Sequence, residues 1–184
     1  MAIHKCTSKN GQVSYSDTPC PAGAAAARFG GDDADVGGTA ASVEYYDIAS
    51  PGVAAAHATW NVSYEYTTRV ERGQCRIASV STTLVGQIRM PRWTATQGSP
   101  AALRAKWDRY VSALKVHEDG HIAIGRRFEK AARRAIESLP AMSGCGQFST
   151  LAKQRFDETL ERYRAIEKDY DISTGGGRTQ GAVF

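Results

Sequence analysis

Residues 117–121 read His117-Glu118-Asp119-Gly120-His121, an H-E-x-x-H motif within the longest helical pattern of the chain. One helix turn brings residues four apart onto the same face, so both imidazoles can bind one zinc ion from the same side. Glu118 is displaced around the helix, where it can hold the water that the metal activates and accept its proton. The motif predicts a zinc site with His117 and His121 as ligands and Glu118 as general base.

The helical pattern around this motif extends from Ser99-Pro100 to about Leu139. A serine hydroxyl can cap the first turn, and proline suits the first helical position. Because this length is unusual for a globular helix, we expect a kink or break between Gly120 and Gly125. A second helix is predicted over residues 147–169. The apolar residues that recur three or four apart in the first helix are Leu103, Trp107, Tyr110, Val111, Leu114, Ile124 and Phe128.

The residues before these helices have β-like patterns. Strands are predicted over residues 43–48, 60–68 and 75–90, the last with a turn or bulge near Gly86. Strands followed by helices, without βαβ alternation, predict an α+β domain with a small antiparallel sheet packed against the helices. If the strand that runs toward Met90 is an edge strand, it could pair with an extended substrate.

The N-terminal region reads as a separate module followed by a linker. Two short strands, residues 2–6 and 12–16, flank Asn10-Gly11, a dipeptide that favours a tight hairpin turn. Residues 25–41 are rich in Ala, Gly and Asp and have too little apolar surface to order themselves. The predicted organisation is a hairpin module over residues 1–24, a linker over 25–41 and the main domain over 42–184.

Four cysteines bear on the cellular compartment, and none of them forms a C-x-x-C motif. Four cysteines allow three connectivities, of which we favour Cys6–Cys20 and Cys75–Cys145. Disulfides imply an oxidising compartment, whereas four unpaired thiols would fit a cytosolic protein. The N-terminus lacks the apolar core of a signal peptide, so the protein is either cytosolic or lacks its leader here. The disulfide interpretation favours a periplasmic or secreted protein.

Composition excludes several classes of protein. The chain has 184 residues, 42% hydrophobic and 23% charged, with a net charge of +4, which is typical of one globular domain and not of a fibrous or disordered chain. No window approaches the roughly 18 to 20 apolar residues of a membrane span. The basic residues between Arg126 and Arg134 are interrupted by Glu129 and lack interleaved aromatics, which favours a solvated helix face. We predict no nucleic-acid partner and no membrane span. The sequence gives no prediction of the oligomeric state.

The third zinc ligand is harder to assign, although catalytic zinc sites use three protein ligands and one open position. The other histidines are His4, in the hairpin, and His57, just before a strand. Asp171 stands out among the carboxylates because it follows Tyr170 where the second helix gives way to a Gly-rich tail. The other carboxylates considered, each more typical of a helix surface, are Glu137, Glu158, Glu167 and Asp169.

Several motifs of residues 42–184 resemble the bacterial secreted zinc-dependent protease family catalogued as domain of unknown function 922. They are Trp60-Asn-Val-Ser-Tyr, the Cys75 strand, Met90-Pro-Arg-Trp93, Trp107-x-x-Tyr110-x-x-x-Leu114-x-x-His117-Glu118-x-Gly120-His121 and Tyr170-Asp171-x-x-Thr174-x-Gly-Gly-x-x-Gln180-Gly181. Residues 3–20, which read Ile-His-Lys-Cys-x6-Gln-Val-Ser-Tyr-Ser-Asp-Thr-Pro-Cys, look like the small envelope module called domain of unknown function 4124.

The resemblance implies a zincin-like fold and a zinc metallopeptidase of the cell envelope that hydrolyses a peptide or protein substrate. It also implies a histidine ligand in the tail, at the position that Gly176 occupies here. The third ligand is therefore open among Asp171, His57 and water. The competing hypothesis is a catalytically inactive envelope binding protein whose zinc is structural or absent.

Overall fold

The computed structural model describes residues 41–184 and, before them, the strands of an N-terminal sheet. These strands are β1 (Ile3–Thr7), β2 (Val13–Ser16) and β3 (Ala25–Phe29). Strand β1 pairs antiparallel with β2, as predicted, and also with β3, which occupies the start of the expected linker. The predicted Asn10-Gly11 turn and Cys6–Cys20 pairing lie outside the described residues. The division into module, linker and domain stays a prediction.

The main sheet has three strands, β4 (Ser42–Asp47), β5 (His57–Glu71) and β6 (Gln74–Arg92), in the order β4-β6-β5. Strands β5 and β6 form an antiparallel hairpin around Arg72 and Gly73, whose φ angles of 50° and 76° are those of a tight hairpin turn. Strand β4 runs parallel to β6. The sheet is therefore mixed, and the prediction of a purely antiparallel sheet was wrong.

The pairing of β6 bears on the prediction that an extended substrate could pair with this strand. Its last residues pair with β4 on one side and, up to Arg89, with β5 on the other, so β6 is the central strand and not an edge. A substrate cannot pair with β6 over residues 87–89, where both of its edges are occupied. The register shift in the hairpin lies between Thr67 and Thr68, not near Gly86. A Cβ atom at Gly86 would lie 3.0 Å from Ile122 Cδ1, so this glycine allows helix and sheet to approach closely.

Two helices pack on the sheet, α1 (Ala101–Glu137) and α2 (Phe148–Thr174). Helix α1 runs through Gly120 and Gly125 without interruption, so no break occurs at these glycines. The glycines serve packing instead, because a Cβ atom at Gly120 would overlap the ring of Tyr170 and one at Gly125 would lie 2.7 Å from the ring of Trp60. Periodicity shows where a helix can form, but it does not show what a glycine within it contacts.

The core lies between one face of the sheet and the two helices. Alternate residues of β6 point inward, and Ile88 and Met90 are each only 1% exposed. Burying a side chain of this size stabilises the fold by about 1.5–3 kcal/mol. The residues that pack with them from α1 are Trp107, Tyr110, Leu114 and Ile122, and a second cluster joins Val62 and Leu84 to Ile124, Phe128 and Tyr163.

A disulfide between Cys75 and Cys145 ties the start of β6 to the connection between the helices, with 5.3 Å between the Cα atoms. This pairing confirms the prediction for these two cysteines. Backbone hydrogen bonds between Cys75 and Met142, of 2.7 and 2.9 Å, support the same junction. The bridge is consistent with an extracytoplasmic location. Over the described part of the chain, we find no helix with the length and apolar character needed to cross a membrane.

Candidate metal centre

Three side chains from the two helices converge at one point. The Nε2 atoms of His117 and His121, on α1, lie 3.2 and 2.9 Å from Oδ1 of Asp171, on α2. Each residue offers one donor atom, and the three atoms lie within 4.8 Å of one another. Imidazole nitrogen and carboxylate oxygen are common metal donors, so this group could hold a metal ion.

The other ring nitrogen of each histidine has its own acceptor. His117 Nδ1 lies 3.1 Å from Gln180 Oε1, and His121 Nδ1 lies 3.3 Å from Glu167 Oε1. An ionised carboxylate and an amide oxygen only accept hydrogen bonds, so each Nδ1 can donate a proton to the oxygen that it faces. With Nδ1 as the donor, the Nε2 lone pairs of both rings are available to a metal ion beside the Asp171 carboxylate, which is the arrangement that metal-binding histidines require.

Tyr170 fixes the orientation of both imidazoles. Its ring stacks on His117 at 5.0 Å with an interplanar angle of 9°, and it meets His121 edge-on at 5.1 Å. Its hydroxyl donates to the His117 carbonyl at 3.1 Å and accepts from Gln180 Nε2 at the same distance. The latter bond also sets the Gln180 amide so that Oε1 faces His117. Gly120 leaves the space that the Tyr170 ring occupies.

A glycine-rich turn returns the chain to the site after α2 ends. Gly175, Gly176 and Gly177 have φ angles of 58°, 62° and 84°, which side chains other than glycine rarely adopt. A Cβ atom at Gly177 would lie 3.0 Å from His117 Cβ, so the turn passes directly beside the motif helix. It ends in a short 3-10 helix, Arg178–Gln180, that delivers the Gln180 side chain to His117.

Asp171, and not residue 176, is the third member of the group. Gly176 lines the cleft, but the histidine expected at its position is not needed to complete three donors. His57 lines the same cleft from the start of β5, is exposed and lies outside the group. Glu137 bonds to Arg133 on the surface and Glu158 bonds to Gln154, so neither contributes.

Glu118 lies in the same cleft and is only 4% exposed. Burial raises the pKa of its carboxyl group, because desolvation disfavours the charged form. The charge on His121 and a hydrogen bond from the Ala58 backbone N–H act in the opposite direction and lower this pKa. Glu118 is thus a buried carboxyl group beside the candidate metal ligands, but it is not one of them.

The two histidines titrate differently. Burial and the neighbouring charge of His121 hold the pKa of His117 below its usual 6.5. Burial also acts to lower the pKa of His121, but the hydrogen bond to Glu167 and the charge of Asp171 outweigh it and raise this pKa. Without a metal, the His121 imidazole therefore becomes cationic more readily than the His117 imidazole.

Sequence reasoning missed the residues that support the ligands, and Glu167 was considered only as a ligand. A local signal for it existed. Glu167 and Asp171 are four residues apart on α2, as His117 and His121 are on α1, so antiparallel helices can match the two pairs. The supporting roles of Tyr170 and Gln180 had no such signal.

The cleft that contains these groups has a volume of about 700 Å³. Its walls come from the loop before β5, from α1 and α2, and from the chain after the glycine-rich turn. The volume lies within the range of about 300–1,000 Å³ that is typical of ligand sites. The cleft has room for a substrate group next to the three donors and Glu118.

Comparison with known proteins gives two family matches. A model described as "Bacterial protein of unknown function (DUF922)" matches residues 35–177, and one described as "Domain of unknown function (DUF4124)" matches residues 2–42. These matches confirm the two family resemblances drawn from the sequence motifs. Neither description assigns an activity. No curated protein and no solved structure matches the chain.

Proposed function

The chain belongs to the bacterial family described as DUF922, and from that premise we propose that it is a zinc-dependent metallopeptidase of the cell envelope with a zincin-like fold. The observation that carries this proposal is the convergence of His117, His121 and Asp171 beside Glu118 in one cleft. Three protein donors with space for a fourth ligand are typical of catalytic zinc sites, whereas structural sites are closed by four protein ligands.

The donor set fits zinc. Gln180 and Glu167 can accept the Nδ1 protons, which leaves both Nε2 atoms available as zinc ligands, and the imidazoles are largely buried. Supporting acceptors of this kind orient the ligands and increase their basicity. When bound, a zinc ion would lower the pKa of a coordinated water to about 7 and polarise the carbonyl of the scissile bond.

Glu118 supplies the proton chemistry in this proposal. Its carboxylate accepts a proton from the water as the water oxygen attacks the carbonyl carbon. It then donates that proton to the leaving nitrogen as the C–N bond breaks, so the peptide bond gives a carboxylate and an amine. The raised pKa of Glu118 suits both transfers, since a group that titrates nearer to neutral pH both accepts and releases a proton readily.

The location and the substrate class follow from other features. The Cys75–Cys145 bridge supports an oxidising compartment, so we place the protein in the periplasm or outside the cell. A peptide or protein is the substrate in this proposal. The rival is an inactive binding protein, and the buried Glu118 counts against it, because a metal site that only binds needs no general base.

The test combines metal analysis with hydrolysis of fluorogenic peptides, using protein made in an oxidising compartment. We expect one zinc ion per chain and a Glu118→Gln variant that keeps this zinc but loses activity by a factor of about 100 or more. The matched control is Asp119→Asn, because Asp119 is the exposed neighbour that pairs with Lys115. A chain that binds no divalent metal, or a Glu118→Gln variant of normal activity, would refute the proposal.

A further inference from the structure

A second groove continues from the metal-containing cleft. It has a volume of about 360 Å³ and runs along β5 from His57 to Val62, with α2 forming its other wall. The groove and the cleft share three lining residues, which are His57, Ala58 and Glu167. An elongated ligand held in the cleft can therefore extend directly into the groove.

One wall of the groove is a strand edge. Within the described residues, β5 pairs only with β6, so its other edge has no strand partner. At the cleft end of this edge Ala58 and Glu118 line the same cleft, which places the edge near the proposed general base. The backbone groups that follow along β5 can pair with another extended chain.

The floor of the groove is apolar and aromatic. Trp60 packs on Phe128 at 5.4 Å, Phe128 packs on Phe156 at 5.1 Å, and Leu160 lies beside them. Trp60 Nε1 also donates a 2.8 Å hydrogen bond to Glu167 Oε1, the oxygen that faces His121. The same carboxylate thus supports the groove floor and one candidate metal ligand.

We propose that this groove binds an extended polypeptide segment along the β5 edge and takes up one of its apolar side chains over Trp60, Phe156 and Leu160. The inference rests on the proposed function and narrows it to cleavage within a chain. Six residues of β5 extend over about 20 Å at about 3.3 Å per residue, so a ligand that fills the groove needs several residues on one side of the scissile bond.

The backbone edge is the reason to choose a polypeptide as occupant. A lipid or another apolar molecule could cover the aromatic floor, but it could not pair with the N–H and C=O groups of β5. An added strand satisfies those groups and alternates its side chains, so one side chain can enter the recess while the next faces solvent. The groove and the cleft are continuous, and one chain can therefore occupy both.

The first experiment varies the substrate and leaves the protein intact. Fluorogenic peptides of about ten residues carry leucine or serine at each position in turn, and kcat/KM is measured with the zinc-loaded chain. We expect a preference for leucine of about tenfold at one position on one side of the scissile bond. N-methylation of a backbone nitrogen beside that position should cause a comparable loss, because it removes a hydrogen bond to the strand edge.

The second experiment varies the groove. Leu160→Gln should reduce the leucine-to-serine ratio of kcat/KM from about ten to about one, because it places a polar group in the recess. Leu139→Gln is the matched control, since Leu139 is a half-buried leucine that does not line the groove. Binding of the leucine peptide to the Glu118→Gln protein, followed by fluorescence anisotropy, should weaken about tenfold on adding Leu160→Gln.

The outcomes separate the inference from the proposed function. If the zinc-loaded chain cleaves no peptide, the proposed function is overturned. If it cleaves peptides without a leucine preference, or cleaves N-methylated and unmodified peptides equally, the groove proposal is wrong and the peptidase proposal stands. A preference that Leu160→Gln and Leu139→Gln reduce equally also overturns the groove proposal. Preferential binding of lipid vesicles over peptide by the Glu118→Gln protein would assign the groove to a different occupant.

Discussion

The ring of Tyr170 occupies the space in which a side chain at position 120 would lie. A Cβ atom at Gly120 would overlap the Tyr170 hydroxyl, and this hydroxyl bonds to the carbonyl of His117. Tyr170 also stacks on His117 and accepts a hydrogen bond from Gln180. The glycine within the H-E-x-x-H motif therefore determines how closely α2 can approach the two histidines.

Gly120→Ala should destabilise the fold by about 1–3 kcal/mol, because the added methyl group displaces Tyr170 from His117. In an unconstrained helix the same change would stabilise by about 1 kcal/mol, so the sign of the effect is diagnostic. Urea denaturation measures the free energy of unfolding. Gly146→Ala is the control, since nothing lies within 4 Å of a Cβ atom there. A stabilised Gly120→Ala protein would contradict the close approach.

Asp171→Asn should weaken zinc binding by more than about tenfold, because it removes a charged donor from the group of three. Asp169→Asn, an exposed change two residues earlier on α2, should leave zinc affinity unchanged. Competition with a chromophoric chelator measures both affinities. Gly176→His should not tighten binding, since Asp171 already completes the group. Tighter zinc binding by Gly176→His, together with normal zinc binding by Asp171→Asn, would show that the position of the third ligand is in the glycine-rich tail and not at Asp171.

Zinc affinity should fall as the pH is lowered, beginning above pH 6.5. The raised pKa of His121 means that zinc must displace a proton from this imidazole first, whereas His117 protonates only at lower pH. Glu167→Gln should move the midpoint of this loss to lower pH, because the amide keeps an acceptor for Nδ1 but no longer stabilises the charged ring. NMR titration of the metal-free histidines provides the direct measurement. Equal pKa values for the two rings would be incompatible with this view.

The raised pKa of His121 also affects the stability of the metal-free protein, with the opposite dependence on pH. Since the folded state raises the pKa of His121, its protonated form contributes stability below pH 6.5, and this contribution is lost as the pH rises through the raised pKa. Comparing the pH dependence of unfolding in the wild type and in His121→Ala isolates the effect. If the free energy of unfolding changes with pH in the same way in the wild type and in His121→Ala across neutral pH, His121 does not make this contribution.

Replacing both Cys75 and Cys145 by serine should cost about 4 kcal/mol, given that the bridge closes a loop with a sequence separation of 70. Thermal unfolding measures the loss. The folded double variant should still bind zinc, because 16 helical residues between His121 and Glu137 place the metal group about 24 Å from the end of α1. Loss of zinc at a temperature where the variant is folded would show that the bridge also supports the metal centre.

The sequence by itself determined the features that depend on neighbours along the chain. The i, i+4 spacing places His117 and His121 on one face of a helix, and this follows from helix geometry alone. The helix and strand patterns likewise predicted α1, α2 and most of the main sheet to within a few residues. The Cys75–Cys145 bridge was the one long-range contact that could be predicted from the positions of the cysteines.

Only the tertiary structure decided which side chains meet those histidines. Asp171, Glu167 and Gln180 lie 46 to 63 residues along the chain from the histidines they face, so local spacing could mark Asp171 and Glu167 as candidates but could not show that they meet the histidines. The selection depends on the register between α1 and α2, which the fit of Tyr170 against Gly120 helps to set. The parallel pairing of β4 with β6 is equally non-local, and it occupies one edge of β6 over residues 87–92, whereas one edge of β5 has no strand partner among the described residues. Periodicity describes one element at a time, whereas packing of two elements determines a site built between them.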